Sequence, residues 1–421
     1  MTNSLKFPGG KMINRLLIGL VIPLSTVVVQ LAHAGGLWIN EYGSPTMGRA
    51  GAGAEAGTGD ASAAFHNPAS MAQIKSKQLM VTGGVVSATS KFSVDSYGTL
   101  NGNNNGGDAG QDAAMASFFY VNPINDQWQV GLSFGGLTGA ELDYGSGWTG
   151  RYQAKSVELV GIAVMPSVAY NISDKLSIGF GLPIMYTELE LKVAVPRPEG
   201  SDGEAKIDGD DTVVGYHLSL WYELSEATQF GMFYQSNFDA EYDGNVKIKP
   251  ADLKVASDTS LDFAAKARAG LTHQFTDEFS GHITLGWDDW SSLGNINIST
   301  STGTSVDTPR HWEDTYHYAV GMSYQLTPVW ILNAGYAYDT NPVSKEDRTA
   351  DLPVDRQNRY AIGIEHKSPN SFDWGAHLVY ADLGSSKIDA ASVKGGPLTG
   401  FSGKYRDNEV IFASFSANWT F

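Results

Sequence analysis

Apolar and polar residues alternate with a period of two along most of this chain. From Val410 to Phe421, Ile411, Ala413, Phe415, Ala417, Trp419 and Phe421 fall on one face. Phe412, Ser414, Ser416, Asn418 and Thr420 fall on the other. Tyr316, Tyr318, Val320, Met322, Tyr324 and Leu326 repeat the pattern, as do Trp330, Leu332, Ala334, Tyr336 and Tyr338, and Phe372, Trp374, Ala376, Leu378 and Tyr380. Successive strand residues face opposite sides, so each run predicts a strand with one apolar, aromatic-rich face. Such strands suit a wall between lipid and water. The connections alternate in length. Short turns are predicted at Asn122–Asp126, Asn171–Asp174, Ser225–Ala227, Thr276–Glu278, Leu326–Pro328 and Ser368–Asn370. Long polar stretches lie near 93–112, 142–155, 195–211, 244–258, 291–314, 340–356 and 382–408. Together they predict about 14 strands with both ends on the short-turn side. Lipid satisfies no backbone hydrogen bond, so the sheet must close. The predicted fold is all-β: a transmembrane antiparallel β-barrel. A soluble sandwich or propeller is the competing architecture, and the long loops and aromatic outer faces argue against it.

The two ends of the chain refine this picture. Lys6, Lys11 and Arg15 precede an apolar run from Leu16 to Val29, and Ala32-His33-Ala34 is an A-x-A cleavage site. Residues 1–34 therefore read as a secretion signal, with the mature chain starting at Gly35. Residues 35–76 do not follow the strand rhythm. They are rich in small residues and too few to build a core of their own. A barrel of about fourteen strands lies between those filled by side chains and those that leave an aqueous channel. Residues 35–76 are thus expected as a plug inside a barrel formed by 77–421.

Composition narrows the function. The formal charge is −17, and about −20 without the three basic residues of the signal, which argues against nucleic acid as a partner. The absence of cysteine excludes disulfides and thiolate metal sites. Gly51-Ala52-Gly53-Ala54-Glu55-Ala56 fits a lenient dinucleotide fingerprint but lacks the preceding strand that the motif needs. Asp202, Glu204, Asp208, Asp210 and Asp211 crowd one expected loop without calcium-loop spacing and read as a solvated acidic segment. No cofactor, no metal and no enzymatic activity are expected.

Several motifs carry a resemblance. Asn40-Glu41-Tyr42-Gly43-Ser44, Met47-Gly48-Arg49-Ala50 and Asn67-Pro68-Ala69-Ser70 resemble the hatch of the FadL-type outer-membrane long-chain fatty-acid and hydrophobic-compound transporters. Pro123-Ile124-Asn125-Asp126-Gln127, Trp287-Asp288-Asp289-Trp290-Ser291, Trp312-Glu313-Asp314-Thr315-Tyr316, Leu352-Pro353 and Asn358-Arg359-Tyr360 continue it in order. The resemblance implies a fourteen-stranded barrel with an amino-terminal hatch inside the lumen, in the Gram-negative outer membrane. It also implies a kinked third strand with a side exit, placed here at Gly135 and Gly136. Asn40, Glu41, Gly48, Arg49, Asn67, Pro68 and Ala69 become candidate hatch or gating residues. Lys192, Lys266, Arg268 and Arg359 become candidate contacts for a ligand head group. The family's fatty-acid members hold the carboxylate with basic groups. In the approximately corresponding places this chain has Glu188, Glu190 and Val193 around Lys192, and Glu313 near the tenth strand.

The function expected is passive import of a hydrophobic small molecule, with long-chain fatty acids first. The route is capture in the external loops, a lumenal pocket gated by the hatch, and lateral exit through the wall. Neutral aromatic or aliphatic hydrocarbons are the alternative ligands, and a structural or adhesion barrel is the alternative class. The expected partners are the fatty acid or hydrocarbon, membrane lipid and lipopolysaccharide, with the protein a monomer.

Overall fold

The computed structural model describes residues 37–197, 199–369, 371–389 and 396–421. The segment expected as a secretion signal, Gly35 and Gly36 of the expected plug, Asn370 of the last predicted turn and 390–395 of the last long stretch lie outside them. Among the described residues fourteen antiparallel strands close into a barrel. They are β1 (Gln78–Tyr97), β2 (Asp112–Pro123), β3 (Trp128–Asp143), β4 (Ser156–Ser173), β5 (Leu176–Gly181 and Ile184–Val195), β6 (Gly203–Val214 and His217–Ser225) and β7 (Thr228–Gln235 and Phe238–Lys249). Then follow β8 (Leu253–Phe263 and Lys266–Gln274), β9 (Phe279–Asp288 and Asn295–Thr300), β10 (Ser305–Pro309 and Thr315–Thr327), β11 (Trp330–Asp339), β12 (Gln357–His366), β13 (Phe372–Asp382) and β14 (Phe401–Thr420). Closure comes from β14 pairing with β1, Thr420 opposite Gln78 and Phe401 opposite Tyr97.

The outer wall explains the alternation. Tyr316, Val320, Tyr360 and Ile362 are each about half exposed (49–59%), while Thr315, His317, Ala319, Arg359 and Ala361 between them are buried. A row of exposed aromatic and aliphatic side chains would be an aggregation face in water, and facing lipid it is the stable arrangement. The short connections fall where turn residues predict them.

The long stretches differ from expectation. Most of 195–211 and 244–258 and nearly half of 291–314, expected as loops, is strand: β6 begins at Gly203, β7 runs to Lys249, β8 begins at Leu253, and 295–300 pairs with 305–309. The reason is an inversion of polarity. Toward these ends the outward positions become Glu188, Glu190, Asp208, Asp210, Glu241, Asp243 and Asp258, whereas Leu189, Leu191, Ile207, Val246, Ile248, Leu261, Ile296 and Ile298 face in. The ladder of backbone hydrogen bonds continues while the outer face passes from lipid into water, so a carboxylate-rich sequence still forms strand. Of the acidic segment, Asp202 pairs with Arg151 at 2.7 Å, Glu204 with Lys155, and Asp208 with Lys247 at 2.7 Å.

Six neighbouring strands, β5 to β10, break at one level, between the lipid-facing and water-facing segments. Pro183 interrupts β5 because it offers no N–H. At the β6 break the Tyr216 N–H is satisfied by Ser236 Oγ at 3.0 Å, and in β10 the Tyr316 N–H by Thr340 Oγ1 at 2.9 Å.

Residues 37–77 run inside the barrel. The turn Pro45–Arg49 touches β10 to β13, Ala54–Ala56 touches β6 to β8, Ala63–His66 touches β2 to β4, and Pro68–Gln73 touches β3 to β6. The wall admits this backbone at inward glycines. A Cβ on Gly231 would lie 1.7 Å from the Glu55 carbonyl oxygen, and one on Gly335 would lie 2.2 Å from that of Arg49. Neither site has flexible atoms to move aside, so a side chain must push the segment away. Gly335→Val is therefore expected to leave the barrel assembled but raise its leak of small sugars in liposomes. A leak equal to wild type would refute this packing.

The third strand departs from its neighbour. β2 and β3 pair only as far as Phe118 opposite Phe134. On the other side, β3–β4 pairing shifts register between Gly136 and Thr138, leaving Leu137 unpaired. The freed edge of β3 is met by the amino-terminal segment. Trp38 bridges to Thr138, the Ile39 N–H donates to the Leu137 carbonyl at 2.9 Å, and Thr138 Oγ1 donates to the Leu37 carbonyl at 2.6 Å. Backbone groups that would otherwise face a gap in the wall are thus satisfied.

Candidate functional site

Polarity inversion gives the outer end of the barrel an apolar interior. The inward side chains of β4 to β10 beyond the breaks line a groove of about 600 Å³. Leu159, Leu189, Leu191, Val246, Val255, Leu261, Ile296 and Ile298 are among its aliphatic lining, with Thr259, Thr300, Thr308 and Thr349 between them. Tyr152 is the only aromatic residue among its lining groups. One charged pair reaches it. Arg310 is held by both carboxylate oxygens of Asp351, at 3.0 and 2.6 Å. Burial would raise the Asp351 carboxyl, but Arg310 outweighs burial and holds it below the usual carboxylate range. The groove thus presents aliphatic surface and a neutralised cation.

At the level of the strand breaks a cluster of rings crosses the lumen. Trp38 lies 6.0 Å from Phe238, 5.8 Å from Phe263 and 5.9 Å from Trp290, and Trp290 lies 5.6 Å from Trp312. All five rings are buried, and four come from the ends or gaps of the broken strands β7 to β10. Along β7, β8 and β10 these rings fall between the groove residues and a second, smaller cavity.

That lower cavity is about 50 Å³ and polar, lined by Asn40, Tyr42, Glu55 and His66 of the amino-terminal segment and by His217, Gln235, Lys266, Arg268 and His317 of the wall. Around it lies a buried charge network. Arg268 faces Asp288 at 2.9 Å. Arg359 pairs with Asp339 and, through Nε, with Glu41 at 2.9 Å, while Asp339 also meets His317 Nδ1 at 2.8 Å. Lys266 is the exception. It is 5% exposed, has no carboxylate within ion-pair distance among the described residues, and places Nζ 4.7 Å from the centre of the Trp38 ring.

The candidate residues separate accordingly. Of the four head-group candidates, Arg268 and Arg359 are matched by protein carboxylates. Lys192 sits on the outer segment of β5, 2.7 Å from Glu190, far along the strand from the lower cavity. Lys266 alone keeps an uncommitted buried charge. Asn67 fixes the amino-terminal segment to the wall: Nδ2 donates to the Glu55 and Leu220 carbonyls at 2.5 and 3.0 Å, and Oδ1 accepts from the Ala69 N–H at 3.0 Å. Pro68 and Ala69 lie over Gly179 of β5, and Ser177 Oγ donates to the Ala69 carbonyl at 2.7 Å. Gly48 packs on Gly363 of β12, and Arg49 Nε donates to the Ala52 carbonyl at 2.7 Å. Asn40 and Glu41 border the lower cavity and the charge network. Gly135 and Gly136 stand at the separation of β3 from β2. Sequence reasoning expected capture in the external loops and singled out the motifs that hold Trp290 and Trp312, but it missed Trp38, the packing of these rings and the strand residues that line the groove. Runs such as Leu189-x-Leu191-x-Val193 and Ile296-x-Ile298 carried the signal for the groove.

A closed barrel with lipid-facing rings, an occupied lumen and an apolar outer groove defines a class: an outer-membrane barrel for transport of hydrophobic compounds. Residues 25–421 match the family described as outer membrane protein transport protein (OMPP1/FadL/TodX), and the chain belongs to it. It is 24% identical over 412 residues to outer membrane protein P1 of Haemophilus influenzae (strain Rd), covering 86% of this chain and 89% of that one. It is 23% identical over 408 residues to the long-chain fatty acid transport protein of Escherichia coli O6:H1, covering 86% and 89%. Its fold is similar to that of a Pseudomonas aeruginosa FadL homologue (TM-score 0.84, 23% identity, 91% and 99% of the two chains). It also resembles the Pseudomonas putida toluene transporter TodX (TM-score 0.68, 15% identity, 93% and 99%). The protein therefore resides in the outer membrane of a Gram-negative bacterium and crosses it many times.

Proposed function

We propose that this barrel imports long-chain fatty acids without an energy source. The aliphatic groove carries this reading. A planar ring gains from aromatic partners, and the groove offers one tyrosine at its edge, whereas branched aliphatic walls suit a flexible chain. Each buried methylene contributes roughly 0.8 kcal/mol, so a chain of about sixteen carbons has ~12 kcal/mol of gross driving force, reduced by the cost of ordering it. Uncommitted Lys266 favours an acid over a neutral hydrocarbon, since a buried ammonium without a partner gains most from an anion.

In this proposal residues 35–76 act as a hatch. The ligand is captured in the groove, passes the ring cluster when Trp38 moves with the hatch, and meets Lys266 with its head. It leaves sideways between β2 and β3, where residues 37–39 stand in the gap. The barrel works as a monomer, with lipid and lipopolysaccharide on its outer face.

Lys266→Met keeps the bulk of the side chain and removes its charge. A hydrogen bond to a charged group contributes about 1.5–3 kcal/mol, so oleate binding is expected to weaken roughly ten- to a hundredfold. Hexadecane uptake into liposomes should be unchanged. Equal loss for both ligands, or for neither, would count against the fatty acid.

A further inference from the structure

The lower cavity holds unsatisfied groups besides Lys266, which has no ion-pair partner among the described residues. Three side-chain nitrogens of residues lining it are buried without a hydrogen-bond partner: Asn40 Nδ2, His217 Nε2 and Gln235 Nε2. His217 and Gln235 are 2% and 3% exposed, so bulk water does not compensate them. A buried donor without an acceptor costs about 1–3 kcal/mol, and three around one cavity are an exception that calls for a missing partner. Packing holds two of the wall groups in place. His217 stacks on Phe233 with centroids 4.6 Å apart, and Lys266 is held over Trp38. Register places Gln235 opposite both His217 of β6 and Lys266 of β8, so the three wall groups stand side by side.

We propose that Asn40, His217 and Gln235 join Lys266 in a receptor for one small anionic acceptor group, which the fatty-acid reading identifies as the ligand carboxylate. The chemistry fits. Lys266 has three donors and no acceptor capacity, the two amides supply N–H groups, and His217 donates from Nε2 in one tautomer. A cavity of about 50 Å³ holds a head group and excludes the chain. Glu55 also borders it, but its Oε2 is engaged by Thr284 Oγ1 at 2.6 Å. Asn40 belongs to the amino-terminal segment and the other three to the wall, so one bound head group ties the two together. The three uncharged donors then make the site selective: a neutral alcohol accepts from two donors at most and adds a donor of its own, whereas a carboxylate accepts from all four.

The closing experiment has two readouts on the full chain, for wild type and the shape-conserving double variant Gln235→Leu/His217→Phe. The first is anomalous scattering from crystals soaked in bromide. The second is the affinity ratio of oleate to oleyl alcohol in detergent. The expected result is a bromide peak beside Lys266 Nζ in wild type, lost in the variant, with the ratio falling at least tenfold and alcohol affinity kept within twofold. Water alone in the wild-type cavity overturns the receptor, as does an unchanged ratio in a variant that folds. Bromide bound in wild type by a protein that never prefers acid to alcohol upholds the receptor and removes the fatty-acid reading, so the two ideas fail separately. Should the double variant not assemble, Asn40→Ala, on the amino-terminal side of the site, must lower the same ratio.

Discussion

Ile298→Asp should weaken oleate binding about a hundredfold. Ile298 faces into the groove from the outer segment of β9, among aliphatic groups of β8 and β10. A carboxylate there keeps its hydration shell and denies the ligand contact with about four methylenes, ~3 kcal/mol at roughly 0.8 kcal/mol each. That loss corresponds to about two powers of ten in affinity. The adjacent Ser299 points to the opposite face, opposite Asp258, so Ser299→Asp is the control and should bind as wild type does. Oleate titration of the two purified variants decides the matter. Similar affinities for both would mean that capture happens elsewhere.

The contrast between those neighbouring positions also shows why the barrel was legible in the sequence and the groove was not. In the lipid-facing halves of β10 to β14 the alternation has its expected sign, aromatic out and small or polar in, and turn residues such as Leu326-Thr327-Pro328 mark each reversal. Beyond the breaks the period of two persists with its faces exchanged. Outward Glu188, Glu190, Asp208 and Asp210 then make a strand look like a solvated loop. Period alone identifies strand, and which face meets lipid is a separate question that composition answers wrongly where a wall rises out of the membrane.

The lower cavity was legible only in part. Lys266 stood out as an inward charge, as did Arg268 and Arg359, and nothing in their local sequence distinguishes them. Their difference is tertiary: Asp288 reaches Arg268 from β9, and Asp339 and Glu41 reach Arg359 from β11 and the amino-terminal segment. Among the described residues no carboxylate does the same for Lys266. Gln235 and His217 are ordinary polar residues of strands whose inner face is mostly polar. Only their adjacency across β6, β7 and β8 makes them notable.

The wall itself supplies the second large effect. Deleting Leu137 removes the residue that stands unpaired between Gly136 and Thr138. The inward faces then stay in phase: Gln129, Ser133 and Gly135 face in before the irregularity, Thr138, Ala140 and Leu142 after it, and the deletion shifts one set onto the rhythm of the other. Regular alternation keeps Thr138 facing in, but the bulge itself and the Leu137 carbonyl that accepts the Ile39 N–H are gone. β3 loses its reason to leave β2 at Phe134. Residues 112–117 of β2 gain a partner, and the gap closes with backbone hydrogen bonds that lipid cannot replace. Oleate capture should persist, because the groove lies on β4 to β10, while delivery into the liposome membrane should fall to the level of empty liposomes. Binding and delivery therefore separate in this variant. If delivery continues at the wild-type rate with β2 and β3 sealed, the ligand leaves by another path, and the proposal of lateral release is wrong.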